Sequence, residues 1–375
     1  MPITKLYEYS VIYSDRSYNL MSDQFISSMK FISNTLKKLY NFDFLALIPG
    51  SGTYAMESVA RQFAMNKKVL VVRNGYFSYR WSDIFNVCKI PNEEIVLKAT
   101  KINNDKLPTF EPLPIGDIVL KIITNKPQVV FAPHVETSTG IMLPNEYLKS
   151  ISSAAHQVGA IFVLDCIASG NIWLDMKDLG IDVIISAPQK GFSGPAGFGL
   201  VFLNKKSRDL INLSNHNELS FCCNLKKWLE VMEEYDKGKF KYYTTLPTNS
   251  IMEWYNILKE ANNYGFDKLK KNCKFLGIRI TNILLSKGFK RVTSLNFHSP
   301  SVIVCYTEKS DMVKKFKDNR LQIAGGVPFM LDEESILDAR KYTFRIGLFG
   351  LDKIKDIHSV AVHFEKTLNK LLENE

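Results

Sequence analysis

The stretch AIFVLDCIASGNIWLDMKDLGIDVIISAPQKG, residues 160–191, decides the fold. It holds two short apolar runs, 160–165 and 182–186. Asp165 closes the first, and Lys190 follows shortly after the second. Runs this short, rich in Val, Ile and Phe and bounded by turn residues, read as buried strands. Asp165 and Lys190 are then one strand-plus-connection unit apart. That spacing lets both project into one crevice at the carboxyl edge of a parallel sheet.

The same rhythm continues outward. Strands are expected at 44–48, 68–72, 128–132 and 198–203, and helices at 54–65 and 145–158. Strands alternating with helices make an α/β domain on a mainly parallel sheet, in three α/β/α layers. Residues 248–285 read as one long helical stretch. Beyond it come strand-like runs at 291–293, 301–306, 322–324 and 343–346, a helix over 312–318 and a last helix over 352–372. This is the pattern of a smaller α+β domain. A chain of 375 residues suits two domains. We expect an N-terminal segment over 1–20, a large domain over 21–265 and a small domain over 266–375.

With 46% hydrophobic and 23% charged residues, the composition is that of an ordinary soluble globular protein. The net charge of +10 is dispersed. Lys268, Lys270, Lys271 and Lys274 sit at helical spacing and read as a solvated face, so no nucleic-acid partner is expected. Apolar runs stop far short of the ~20 residues that span a membrane, and the N-terminus shows no signal-peptide pattern. Cys88, Cys166, Cys222, Cys223, Cys273 and Cys305 form no CxxC pair and no zinc spacing. Free thiols point to a cytoplasmic location. The six histidines are scattered. Only His134 lies near a strand end that matters, and no metal is expected.

Three elements carry chemistry. A lysine beside a desolvated strand end, such as Lys190, can lose its proton and act as an amine nucleophile. An acid at a strand end, such as Asp165, is a helix cap or a ligand-facing group. Between a strand and a helix lies Pro49-Gly50-Ser51-Gly52-Thr53, where backbone amides and a helix N-terminus can cradle a phosphate. A plain Ser/Thr cap after a tight turn is the competing reading. Lysine, acid and phosphate cradle together are what pyridoxal 5′-phosphate (PLP) requires: an amine for the imine and an acid opposite the pyridine nitrogen.

Seven segments, in order, strengthen this. They are 50–57 (GSGTYAME), 74–80 (NGYFSYR), 135–140 (VETSTG), 164–169 (LDCIAS), 189–191 (QKG), 242–247 (YYTTLP) and 344–350 (FRIGLFG). Carrying them, the chain resembles the class V aminotransferases of PLP fold type I, in pattern nearest to the alanine–glyoxylate and 2-aminoethylphosphonate–pyruvate aminotransferases. The resemblance implies a Schiff base on Lys190, which also shuttles the substrate proton, and Asp165 as partner of the ring nitrogen. Ser51, Gly52, Thr53 and Gln189 would hold the phosphate. Phe77 would stack on the ring, Ile167 would pack its other face, and Thr137 would bond its 3′-oxygen. Tyr242 and Thr245 would reach the phosphate in a neighbouring subunit, which implies a homodimer with shared sites. Arg345 would grip a substrate carboxylate; a structural salt bridge is the alternative for a charged residue inside an apolar strand.

The implied reaction is ping-pong transamination between a small, alanine-like amino acid and a glyoxylate- or pyruvate-like 2-oxo acid. The chain departs from the family near its start. Residues 8–16 (EYSVIYSDR) stand where relatives carry a Gly-Pro-rich pocket segment, which leaves the substrate open. Cysteine desulfurase chemistry is disfavoured, because 322–328 contains no cysteine. A PLP lyase and, further off, a non-catalytic PLP-fold binding protein are the alternatives.

Overall fold

The computed structural model describes residues 9–103, 105–214, 220–331 and 338–373. The first eight residues of the expected N-terminal segment, the last two residues of the chain and His216 lie outside the described residues.

The first part of the chain opens with α1 (Asp23–Tyr40), capped by Ser22, whose hydroxyl accepts the Phe25 N–H, and closed by Asn41 in a left-handed conformation. Then follow β1 (Phe44–Pro49), α2 (Gly52–Ala64), β2 (Lys68–Arg73), α3 (Tyr76–Cys88) and β3 (Glu93–Lys98). A two-stranded ribbon of β4 (Thr100–Lys101) and β5 (Phe110–Glu111) leads into α4 (Ile115–Asn125). Next come β6 (Val129–Pro133), α5 (Asn145–Gln157), β7 (Ile161–Asp165), β8 (Val183–Ser186) and β9 (Phe198–Leu203). Helices α6 (Lys205–Leu213), α7 (Leu225–Asp236) and α8 (Thr248–Tyr264) complete it.

Seven strands form one sheet in the order β1-β9-β8-β7-β6-β2-β3. Strand β9 runs antiparallel to both neighbours, and all other pairings are parallel. Every residue of β6, β7, β8 and β9 is buried. Helices cover the sheet, with α2 on β8 and β9, α3 on β2 and β6, α5 on β7 and α7 on β1. Burial from both faces is why these strands are continuous apolar runs rather than alternating ones.

The expected long helix over 248–285 is two helices. Gly265 breaks it with φ of 99°, a left-handed conformation that favours glycine, and α9 (Phe266–Ser286) starts afresh. Beyond α9, β10 (Val302–Tyr306), β11 (Ala324–Gly325) and β12 (Thr343–Gly347) make an antiparallel sheet in the order β10-β12-β11. It is accompanied by α10 (Met312–Asp318), α11 (Ala339–Tyr342), α12 (Leu351–Ile354) and α13 (Ile357–Glu373). Residues 291–293, read as a strand, make only isolated bridges, Arg291 to Cys305 and Thr293 to Phe110. The expected last helix is split into α12 and α13. Nearly all residues of a second apolar cluster follow Gly265 in the chain; Ile172 and Ala261 are the exceptions.

Candidate active site

Because β9 alone is reversed, β1, β2, β6, β7 and β8 all point their carboxyl ends to one edge. The loops after these five strands converge there. Asp165 ends β7, in register with Pro133 of β6 and Ile185 of β8. Its side chain is buried, and its Oδ1 accepts the Ile167 N–H at 2.9 Å. Burial pushes its pKa up to about 6; the Ile167 amide and Lys190 pull the other way.

Lys190 sits in the turn after β8. The Ser193 N–H bonds its carbonyl at 3.0 Å, and the Gly194 N–H bonds that of Pro188 at 2.8 Å. The next residue must be glycine, since a Cβ at Gly191 would collide with the Gly170 carbonyl. The Asn171 amide then ties the Gly191 carbonyl at 2.9 Å. The Lys190 Nζ lies 5.7 Å from the Phe77 ring centre and 5.8 Å from that of Phe349. Burial lowers the amine's pKa; Asp165 opposes this, and Arg345 and Arg80 add to it. The direction of this shift favours the free amine over the ammonium.

One cavity brings together Ser51, Gly52, Thr53 and Phe77 with Thr137, Asp165, Ile167, Gln189 and Lys190. Ser51 does not cap α2: its side chain makes no capping bond, which removes the plainest alternative reading of the Gly-Ser-Gly-Thr turn. A Cβ on Gly52 would sit 2.6 Å from Ile167 Cδ1, so glycine is what lets the start of α2 approach that side chain. Phe77, in the first turn of α3, has the Arg80 and Arg345 guanidinium carbons 5.4 and 5.6 Å from its ring centre.

Arg345 lies in β12, half-buried, and its Nε donates to the Gly325 carbonyl at 2.7 Å. Among the described residues no carboxylate forms an ion pair with it, so the salt-bridge alternative finds no partner. Burial lowers its pKa, with Glu136 acting in the other direction. Tyr242 and Thr245 lie outside the cavity, and both are exposed. His134 also stays apart. Its Nδ1 is 2.7 Å from Ser169 Oγ, and burial holds its pKa down to about 3, so the ring is neutral.

Sequence reasoning assigned no role to two residues of this site. Arg80 lines the cavity, with its Nη1 donating to Thr53 Oγ1 at 3.2 Å. Its only signal was the three-residue spacing from Phe77, which puts both on one face of α3. Glu136 is fully buried behind the cavity. The 135–140 segment contained it but carried no hint of its partners.

Residues 4–311 match the family model described as Aminotransferase class-V. Alanine–glyoxylate aminotransferase 1 of Saccharomyces cerevisiae is 27% identical over 295 residues, 75% of this chain and 73% of that protein. A 2-aminoethylphosphonate–pyruvate transaminase of Bacillus cereus is 26% identical over 363 residues, 93% of this chain and 88% of its own. Among solved structures, ureidoglycine–glyoxylate aminotransferase from Bacillus subtilis superposes with a TM-score of 0.77 at 19% identity, covering 95% of this chain and 88% of that one. This likeness shows that the fold is PLP fold type I. The family model spans most of the chain, across the loops that build the cavity, and the chain belongs to the class V aminotransferases, PLP-dependent enzymes that transfer amino groups.

Proposed function

We propose that this enzyme moves an amino group between a small, alanine-like amino acid and a short 2-oxo acid such as glyoxylate or pyruvate, in two half-reactions, with Lys190 as the amine that holds PLP. The observation that carries this reading is one cavity in which a burial-depressed lysine amine shares space with a buried acid titrating near 6.

The cavity fits the cofactor. Gln189 Oε1 is buried without a hydrogen-bond partner, and Ser51 leaves its capping role unused. Asp165 accepts one backbone amide, and among the described residues no cation forms an ion pair with it. A cationic ring nitrogen would complete its shell. Ser51, Gly52, Thr53 and Gln189 would hold the phosphate, Phe77 and Ile167 would enclose the ring, and Thr137 would reach its edge. When bound, PLP supplies an electron sink that lets the substrate Cα–H bond break. Lys190, freed when the amino donor takes its place, accepts that proton at Nζ and returns it at the other end of the exchange. Arg345 orients the substrate by its carboxylate, with two parallel N–H donors.

Exposure of Tyr242 and Thr245 is in keeping with a homodimer in which each completes the partner's phosphate site. The break at Gly265 supports a boundary there between the large and small domains. Among the described residues no helix is long and apolar enough to cross a membrane. We assign the enzyme to the cytoplasm on its free thiols.

The test is the visible spectrum of the purified holoenzyme during addition of single amino donors, beginning with L-alanine and 2-aminoethylphosphonate. Bleaching by one of them to the amine form of the cofactor identifies the donor. A coloured protein that none of these donors bleaches rejects the proposed donors and turns the reading to a lyase or another substrate, and a protein that excess PLP leaves colourless rejects the role of Lys190.

A further inference from the structure

Helix α3 has no side chain at its N-cap, and the Ser78 hydroxyl accepts the N-cap N–H at 3.1 Å. Its N-cap is Gly75, and a Cβ there would collide with Ser138 Oγ and lie 2.7 Å from Glu136 Cγ. The helix end is thus pressed directly onto the loop after β6. Glu136 Oε1 accepts the Phe77 N–H at 3.1 Å, the Ser138 N–H at 3.0 Å and the Ser138 hydroxyl at 2.8 Å. Its Oε2 accepts the Ser78 N–H and lies 2.8 Å from the Ser78 hydroxyl. The Ser138 hydroxyl in turn accepts the Tyr76 N–H at 2.9 Å. Donors alone face a fully buried carboxylate, which suits an acceptor-only group.

This arrangement couples two parts of the cavity. Thr137 lies between Glu136 and Ser138, so fixing its neighbours fixes its height in the cavity. Phe77 takes its backbone position from the same carboxylate, and Arg80 follows one turn along α3. A phenylalanine ring has only two side-chain torsions, so its backbone position largely decides where its face lies. Neither Glu136 nor Ser138 lines the cavity.

We propose that Glu136 is a positioning residue for cofactor binding: it locks Thr137 and Phe77 into one rigid unit, so that the groups meant for the edge and the face of the cofactor ring keep a fixed relation. The inference rests on the reading of this cavity as the PLP site. An unclamped α3 would have to be ordered when the cofactor arrives, and affinity would fall by the cost of that ordering.

The experiment is a double-mutant cycle on PLP affinity, measured on the cofactor-stripped full chain by quenching of intrinsic fluorescence. Glu136→Gln places an amide donor against backbone N–H groups and should weaken PLP binding on the order of ten-fold, the scale of a charge-assisted hydrogen bond. In a Phe77→Ala background the same change should cost less than about two-fold, because the ring it positions is gone. Equal penalties in both backgrounds overturn the proposal, since a carboxylate that merely supports the fold acts whether or not Phe77 is present. Ser138→Ala keeps the carboxylate and removes one of its donors together with the acceptor of the Tyr76 N–H. It should show a smaller loss with the same dependence on Phe77, and it decides the question alone if the glutamine variant does not fold. Asp182→Asn, at a buried carboxylate that bonds His156, Phe162 and Asn204, is the control: it should lower the melting temperature and leave PLP affinity unchanged. A wild-type chain that takes up no PLP overturns the site reading and this inference together, whereas equal penalties on a wild type that binds PLP overturn this inference only.

Discussion

Replacing Asp165 by asparagine should make the cofactor-free protein more stable at neutral pH. The carboxyl titrates at 3.8 when unperturbed and at about 6 in the fold, where burial disfavours its charge. A group whose pKa is raised by folding supports the folded state fully below its unfolded pKa. That support is lost as pH rises through the folded pKa. The gap of about 2 pH units, at 1.36 kcal/mol each, comes to about 3 kcal/mol of stability missing above about pH 7. Asparagine cannot ionise and keeps an oxygen for the Ile167 N–H. Removing the charge also takes from Lys190 its strongest attraction, which offsets part of the gain. A net increase of about 1–3 kcal/mol is expected near neutral pH, shrinking to nothing near pH 4. Equilibrium urea denaturation of both stripped proteins across that range measures it. With saturating PLP the order should reverse, because only the wild type would gain binding free energy in full. A variant no more stable than the wild type at neutral pH, or an advantage that grows on acidification, would refute the assignment of Asp165 as a strained, waiting acid.

Lys190→Ala should abolish transamination and covalent retention of the cofactor, read by borohydride reduction and intact mass; a retained adduct mass would place the imine elsewhere. Arg345→Ala should raise KM for carboxylate substrates by the equivalent of about 2–4 kcal/mol, the cost of losing one side of a buried charge pair; steady-state kinetics with an unchanged KM would remove Arg345 from the substrate site. Gly191→Ala must displace the Gly170 carbonyl or the Lys190 turn, so it should lower both melting temperature and PLP affinity; differential scanning fluorimetry with and without PLP separates the two effects. Mixing Lys190→Ala and Tyr242→Ala chains should restore activity to one site per mixed dimer, and a mixture as inactive as its parents would reject shared sites.

The strands were legible because burial on both faces leaves an unbroken apolar run, as in 161–165 and 183–186. Helices α1, α3, α4, α6 and α7, the edge strand β3 and the β4–β5 ribbon were not anticipated; in α1 the buried Phe25, Met29, Ile32 and Leu36 recur at three- and four-residue spacing and so form no unbroken apolar run. The reversed direction of β9 was not legible, since its sequence reads the same either way. Gly265 was placed near the domain boundary but not recognised as a helix break, because an isolated glycine in a helical pattern is usually tolerated. Within the site, Lys190 and Asp165 declared themselves by their place at strand ends. Glu136 could not: its partners Phe77 and Ser78 are 58–59 positions away in the chain, and only the fold brings them together.

Two buried carboxylates belong to this region, Asp165 in the cavity lining and Glu136 behind it, and what separates them is the supply of donors. Three backbone N–H groups and two hydroxyls surround Glu136, all from the protein. Its shell is filled in the folded chain, so it can hold structure but has nothing left to offer a ligand. Asp165 has one backbone amide. Burial with a single donor raises its pKa, and Lys190 and Arg80 offset only part of that; a group entering the cavity could supply the donors that are missing. The cations are divided in the same way. Arg208 is tied to Glu233 at 2.7 Å, far from the cavity, whereas Lys190, Arg80 and Arg345 gather about Phe77 with no ion-pair partner among the described residues. On the proposed reading an anionic cofactor with a cationic ring nitrogen would supply negative charge beside the arginines and a proton donor for Asp165, and the substrate would bring the carboxylate for Arg345. The fold therefore bears an electrostatic cost at this edge of the sheet, and on the proposed reading that cost would be returned as affinity for PLP and substrate.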